Sequence, residues 1–115
     1  MSTPVGPYTP IVSAGDWLIA SGQVGLKDGN LVEGGMAAEL QQALENVKGL
    51  VEGKGATLDQ VVKTTVFLVD MADYAEMNEI YVAFFGDHRP ARSAVAVAEL
   101  PIGALVEVEA WVHTG

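Results

Sequence analysis

Val61-Val62-Lys63-Thr64-Thr65-Val66-Phe67-Leu68-Val69 is β-branched almost throughout. Branching at Cβ stiffens χ1 and suits the pleated surface of a strand. The run therefore predicts a central strand, and its few polar positions predict burial on both faces. The flanking segments have a different period. Upstream, Met36, Leu40, Leu44, Val47 and Val51 recur at three- and four-residue spacing, while Glu39, Gln41, Gln42, Glu45 and Lys48 occupy the other positions. That is the stripe of an amphipathic helix, ended by Gly53 and Gly55. Thr57 with Gln60 three residues on predicts a capped single turn before the strand. Downstream, Asp73 starts a second helix with Tyr74, Met77, Tyr81 and Phe84 on one face, and Gly86 stops it.

The ends of the chain read as further strands. Gly6-Pro7-Tyr8-Thr9-Pro10 predicts an ordered turn leading into Ile11-Val12-Ser13, and Ala14-Gly15-Asp16 connects tightly to Trp17–Ser21, ended by Gly22. Residues 25–35 predict a surface loop with a turn at Lys27-Asp28-Gly29-Asn30 and a short strand at Leu31-Val32. Ser93 to Ala98 reads as a strand and Leu100–Ala104 as a turn. Val106, Val108, Ala110 and Val112 then alternate with Glu107, Glu109, Trp111 and His113 in a last strand. Strands 93–98 and 106–113 are taken as pairing through the turn around Pro101. The order β-β-α-β-α-β-β predicts one α+β domain over residues 1–115, with two helices on one face of a mixed, mostly antiparallel sheet. The other face is rich in small and apolar residues and has no helix left to bury it, which implies self-association.

Composition narrows the function classes. The chain has 115 residues, half of them apolar, enough for a core without staples. No apolar run approaches the roughly 20 residues of a membrane span. Met1-Ser2-Thr3-Pro4 lacks the basic start of a signal peptide. Cysteine is absent, which removes disulfides and thiol chemistry, and a reducing cytoplasm is the expected home. The formal charge is −9, and the basic residues Lys27, Lys48, Lys54, Lys63, Arg89 and Arg92 form no run, which argues against nucleic-acid binding. No glycine-rich phosphate loop and no serine elbow is present. His88 and His113 lack partners at metal-ligand spacing, so no metal or cofactor is expected.

Arg92, in Arg89-Pro90-Ala91-Arg92-Ser93, is a cation at the start of a small-residue strand in an acidic chain. A guanidinium holds a carboxylate through two parallel hydrogen bonds. Arg92 reads either as a clamp for a carboxylate ligand or as the ion-pair partner of one of the fifteen acids. Glu107, flanked by valines, reads either as a partly buried general acid or base, or as an edge-strand charge that blocks aggregation. Tyr8 in its rigid turn either lines a pocket or plugs the N-terminal strand. Asn78, beside Met77 on the second helix, and the Ser21-Gly22 backbone are further candidates. Pairing alone does not bring Arg92 to Glu107 within one subunit, so a shared cleft is expected across a subunit boundary.

Gly6-Pro7-Tyr8, Ser21-Gly22-Gln23, Leu44–Lys48, Val62–Leu68, Met77–Tyr81, Pro90-Ala91-Arg92-Ser93 and Leu105–Ala110 together resemble the RidA (YjgF) family of reactive intermediate deaminases, nearly end to end. The Pro-Ala-Arg-Ser run and the closing Glu-x-Glu-Ala strand are the specific parts. The resemblance implies a chorismate-mutase-like fold assembled as a homotrimeric barrel with active sites between subunits. It also implies cofactor-independent hydrolysis of enamines and imines, such as 2-aminoacrylate, to a 2-keto acid and ammonia. By the same resemblance Arg92 clamps the substrate carboxylate and Glu107 positions or activates water. Tyr8 and Asn78 line the cleft, and the backbone of Ser21 and Gly22 meets the substrate amine. The chain departs from the common family pattern at Ala94, Ala96, Glu99, Gly25 and Thr9-Pro10, which bears on substrate range. A translation-inhibiting endoribonuclease, a label carried by some relatives, and a non-catalytic binder of keto acids are the alternative functions.

Overall fold

The computed structural model describes residues 6–115, so the reading of Met1–Pro4 concerns residues outside that range. Strands β1 (Ile11–Ala14) and β2 (Trp17–Gln23) come first, followed by the two-residue strands β3 (Leu26–Lys27) and β4 (Asn30–Leu31). Helix α1 (Gly35–Gly53), strand β5 (Val61–Leu68), helix α2 (Tyr74–Phe85), and strands β6 (Ala91–Ala96) and β7 (Val106–His113) complete the order. The loop expected at residues 25–35 is thus a small hairpin, with Leu26 opposite Leu31. Thr57 and Gln60 form the expected turn before β5, the Thr57 N–H donating to Gln60 Oε1 at 3.0 Å.

Five strands form one sheet in the order β1-β2-β7-β5-β6. The expected hairpin between the last two strands does not form. Instead β6 runs parallel to one edge of β5, with Thr64 opposite Arg92, and β7 runs antiparallel along the other edge, with Phe67 opposite Glu107. The physical reason lies in α2. A strand, a helix and a strand make a crossover that returns the chain parallel to its starting strand, leaving the other edge of β5 free for β7. The nine residues 97–105 then cross the end of β5, where the Val97 N–H donates to the Leu68 carbonyl and the Val69 N–H to the Leu105 carbonyl.

Both helices pack on one face. Leu40, Leu44, Val47 and Val51 of α1, with Met77, Tyr81 and Phe85 of α2, meet the inward side chains of β2, β5 and β7. Each fully buried Leu or Val stabilises the fold by about 1.5–3 kcal/mol. β5 is an interior strand, one place in from the β6 edge with β7 in the middle of the sheet, and it is not buried on both faces. Val61, Thr64, Val66 and Leu68 are buried, whereas Lys63, Thr65 and Phe67 on the other side are only partly covered. On that open face Trp17 and Trp111 remain 39% and 41% exposed, edge to face with ring centroids 6.2 Å apart. Glu39, which the periodicity placed on the polar side of α1, is buried.

Candidate active site

The site begins with a defect in the sheet. Along β2 the register runs from Ala20 opposite Ala110 to Gln23 opposite Val108, so β2 spends one residue more than β7 over this stretch. Such a bulge locally kinks and twists a strand and re-aims what it carries. The kinked residues are Ser21 and Gly22, and Gly22 meets Glu107 on β7. A Cβ built on Gly22 would lie 2.7 Å from Glu107 Cδ and 3.0 Å from Cγ, and closer still to Oε2. Only a residue without a side chain lets the carboxyl lie against the β2 backbone.

Ser21 is committed to the local structure. Its hydroxyl donates to the Thr9 carbonyl at 2.6 Å, its N–H to the Pro10 carbonyl at 2.8 Å, and its carbonyl accepts from the Gln23 side-chain amide at 3.1 Å. These bonds hold the Gly6–Pro10 turn, in which the Tyr8 N–H donates to the Gly6 carbonyl at 2.9 Å. Tyr8 is thereby fixed over an open cavity of about 210 Å³, lined by Tyr8, Ser21, Gly22, Val24, Pro101 and Glu107. Burial pushes the Glu107 carboxyl above its ordinary value, and the charge of Glu109, on the same face of β7, adds to the shift. A carboxyl raised in this way exchanges protons nearer neutral pH than an exposed one.

Arg92 stands elsewhere. Its register partner Thr64 points toward the helices, where Thr64 Oγ1 and the Tyr81 hydroxyl lie 2.6 Å apart. The Arg92 guanidinium points the same way. It donates to the Tyr74 hydroxyl at 3.2 Å and to Met77 Sδ at 3.6 Å, and sits 4.9 Å from the Tyr81 ring centroid and 5.6 Å from that of Tyr74. Aromatic faces favour a cation, and none of these contacts is a carboxylate. Glu107 faces the opposite side of the sheet. β5 lies between the two strands, and the registers differ by three residues, so their backbones are about 14 Å apart at ordinary strand spacing. One chain does not bring Arg92 and Glu107 together.

Asn78 shares α2 with Tyr74 and Met77, and its Oδ1 is buried without a hydrogen-bond partner. His88 Nε2 lies 2.7 Å from the Val61 carbonyl and ties the end of α2 to β5, while the His113 ring packs 4.8 Å from that of Trp17. Among the described residues no three His, Asp or Glu gather in a metal-binding group. The sequence reading missed the cavity walls Val24 and Pro101, one in an unpatterned segment and the other read only as a turn. It also missed the aromatic seat of Arg92, although Tyr74 and Tyr81 were on the stripe that predicted α2. Among the described residues no helix is long and apolar enough to cross a membrane.

The sequence pattern of the family described as Endoribonuclease L-PSP matches residues 1–114. The chain belongs to that family, RidA (YjgF). RidA relatives include the 2-iminobutanoate/2-iminopropanoate deaminase of Mus musculus, 45% identical over 92% of this chain and 80% of that protein. The Escherichia coli protein of the same name is 44% identical over 92% of this chain and 86% of its own length. Among solved structures, E. coli TdcF with bound serine superposes with a TM-score of 0.92 at 34% identity, covering 97% of this chain and 91% of that one. The mixed sheet with two helices is thus the RidA fold.

Proposed function

We propose that this RidA protein is a cytoplasmic, cofactor-independent deaminase that hydrolyses small carboxylate-bearing imines and enamines to a 2-keto acid and ammonia. The observation that carries the reading is the Glu107 carboxyl laid against Gly22 on the wall of an open cavity, its proton affinity raised by burial. The names of the mouse and E. coli relatives point to the same chemistry, and the serine held by TdcF is a small molecule with a carboxylate.

In this reading water attacks the imine carbon as Glu107 takes its proton, and a carbon–oxygen bond forms while the C=N bond becomes single. Glu107 hands that proton to nitrogen to give a carbinolamine, then takes the hydroxyl proton and passes it to the same nitrogen as the C–N bond breaks, so that the carbonyl forms and ammonia leaves. An imine already hydrolyses in water, so orientation and one proton relay account for the acceleration. Arg92 is assigned the substrate carboxylate, with Asn78 near it and Tyr8 over the cavity. Because Arg92 and Glu107 face opposite sides of one sheet, the proposal includes a homotrimer in which Arg92 of one copy completes the cavity of the next. The open sheet face is the surface such packing would bury. The charge of −9 weighs against the endoribonuclease named in the family description.

The test is to generate 2-aminoacrylate from serine with a pyridoxal-phosphate lyase and trap residual imine with semicarbazide. Wild type is expected to accelerate pyruvate release and Arg92→Ala to lose that acceleration. An Arg92→Ala protein as fast as wild type would overturn the assignment. Glu107→Gln separates catalysis from mere keto-acid binding: a catalyst loses turnover and keeps ligand affinity.

A further inference from the structure

Glu39 is the single charged side chain among the described residues that the fold buries, at 5% exposure, and the chemistry proposed above does not use it. A buried carboxylate is costly unless hydrogen bonds compensate it, and a well-packed apolar side chain in its place is often neutral or stabilising. Its contact is with the other end of the chain. Glu39 Oε1 accepts the Leu105 N–H at 2.8 Å. Leu105 directly follows the short turn Pro101–Gly103 and Ala104, closed by the Ala104 N–H on the Pro101 carbonyl at 3.1 Å, and Glu107 comes two residues later. Pro101 and Glu107 both line the cavity.

The opposite wall reaches the same helical turn. A Cβ on Gly25 would lie 2.7 Å from both Cα and the carbonyl oxygen of Glu39, so the segment after Val24 lies directly against α1. Seven residues along α1, Asn46 Nδ2 donates to the carbonyls of Val24 and Leu26 at 3.1 and 2.9 Å. Val24, Leu26 and Ala104 form a small apolar cluster between the two walls. Both sides of the cavity therefore converge on one turn of α1, and only the Leu105 side depends on a side-chain carboxylate.

We infer that Glu39 is a positioning residue whose hydrogen bond to the Leu105 N–H sets the Pro101 wall and the placement of Glu107 against Gly22. The activity readout rests on the deaminase reading; a second readout does not. Glu39→Gln keeps an acceptor oxygen, Glu39→Met keeps length and removes the acceptor, and Val47→Ala cuts a cavity in α1 away from the site as a control for lost stability. Glu39→Met is expected to lose about tenfold in kcat/KM on 2-aminoacrylate, because small displacements of reacting groups are amplified in rate. Glu39→Gln is expected to stay within about twofold of wild type and Val47→Ala to keep its activity. In parallel, amide hydrogen exchange at Leu105 is expected to be slow in wild type and Glu39→Gln and at least about tenfold faster in Glu39→Met, with exchange within β7 unchanged.

Full activity in Glu39→Met, equal losses in Glu39→Gln and Glu39→Met, or an equal loss in Val47→Ala would each overturn the inference. If Glu39→Met does not fold, rapid Leu105 exchange in wild type overturns it and slow exchange retained by Glu39→Gln supports it. If wild type hydrolyses no imine, the deaminase reading falls, and the exchange comparison still decides the role of Glu39.

Discussion

Gly22→Ala offers a sharp test of the cavity. Gly22 does not have positive φ, so alanine meets no backbone penalty there, and replacing glycine at a compatible position stabilises a protein by about 0.4–1 kcal/mol through the unfolded chain. The new methyl carbon would lie 2.7 Å from Glu107 Cδ. Carbon atoms in contact sit about 3.5–4.0 Å apart, so the carboxyl must retreat by about 1 Å. A glutamate tip moves by rotating, so the fold tolerates the change, but a 1 Å misplacement of a reacting group can cost about 100-fold in rate. The expected outcome is a loss of about 100-fold in kcat/KM in the semicarbazide-trapping assay, with a melting temperature within a few degrees of wild type. The effect should vanish in a Glu107→Gln background, since two changes acting through one carboxyl do not add. A Gly22→Ala protein of full activity, or one whose added loss persists without the Glu107 carboxyl, would refute the reasoning.

Arg92→Lys keeps the charge and loses the planar fork, so KM for a carboxylate-bearing imine should rise about tenfold with kcat within about threefold, read from steady-state kinetics. Thr64→Val should leave the buried Tyr81 hydroxyl without its 2.6 Å partner; the cost of about 2 kcal/mol would lower the melting temperature by roughly 10 °C. For Glu107 the folded protein favours the protonated form, because its pKa is raised from 4.5. That contribution to stability is fully present below the unfolded value and is lost as pH rises through the folded one. Glu107→Gln should accordingly melt higher than wild type at pH 8 and match it at pH 4, and thermal melts showing the reverse order would contradict the assignment of burial as the cause.

Local pattern made most of the elements legible and little of how they meet. The stripe Met36–Val51 and the alternation Val106–Val112 gave α1 and β7 because each period reports one buried face. The sequence neighbours 93–98 and 106–113 suggested a hairpin, yet the strand–helix–strand order around α2 already implied a parallel β5–β6 pair, and that was the stronger signal. The β5 run was read as doubly buried because β-branched residues suit a strand whether or not its second face is covered. Arg92, Glu107, Tyr8, Gly22 and Asn78 stood out by residue type and neighbours. The bulge that sets Gly22 on Glu107 and the burial of Glu39 were not legible, since both depend on register and on contacts 66 or more residues apart in sequence.

The claim that matters most is a site shared between copies of the chain, and mixing two inactive variants tests it. Arg92→Ala and Glu107→Gln proteins are co-refolded in equal amounts and assayed against 2-aminoacrylate beside wild type and each variant alone. In a ring of copies where Arg92 of one chain serves Glu107 of the next, random assembly makes about a quarter of the sites complete. The account predicts recovery of about a quarter of wild-type activity in the mixture and none in either variant alone. A mixture as inactive as its components, with wild type active and the chains shown to associate, would contradict it.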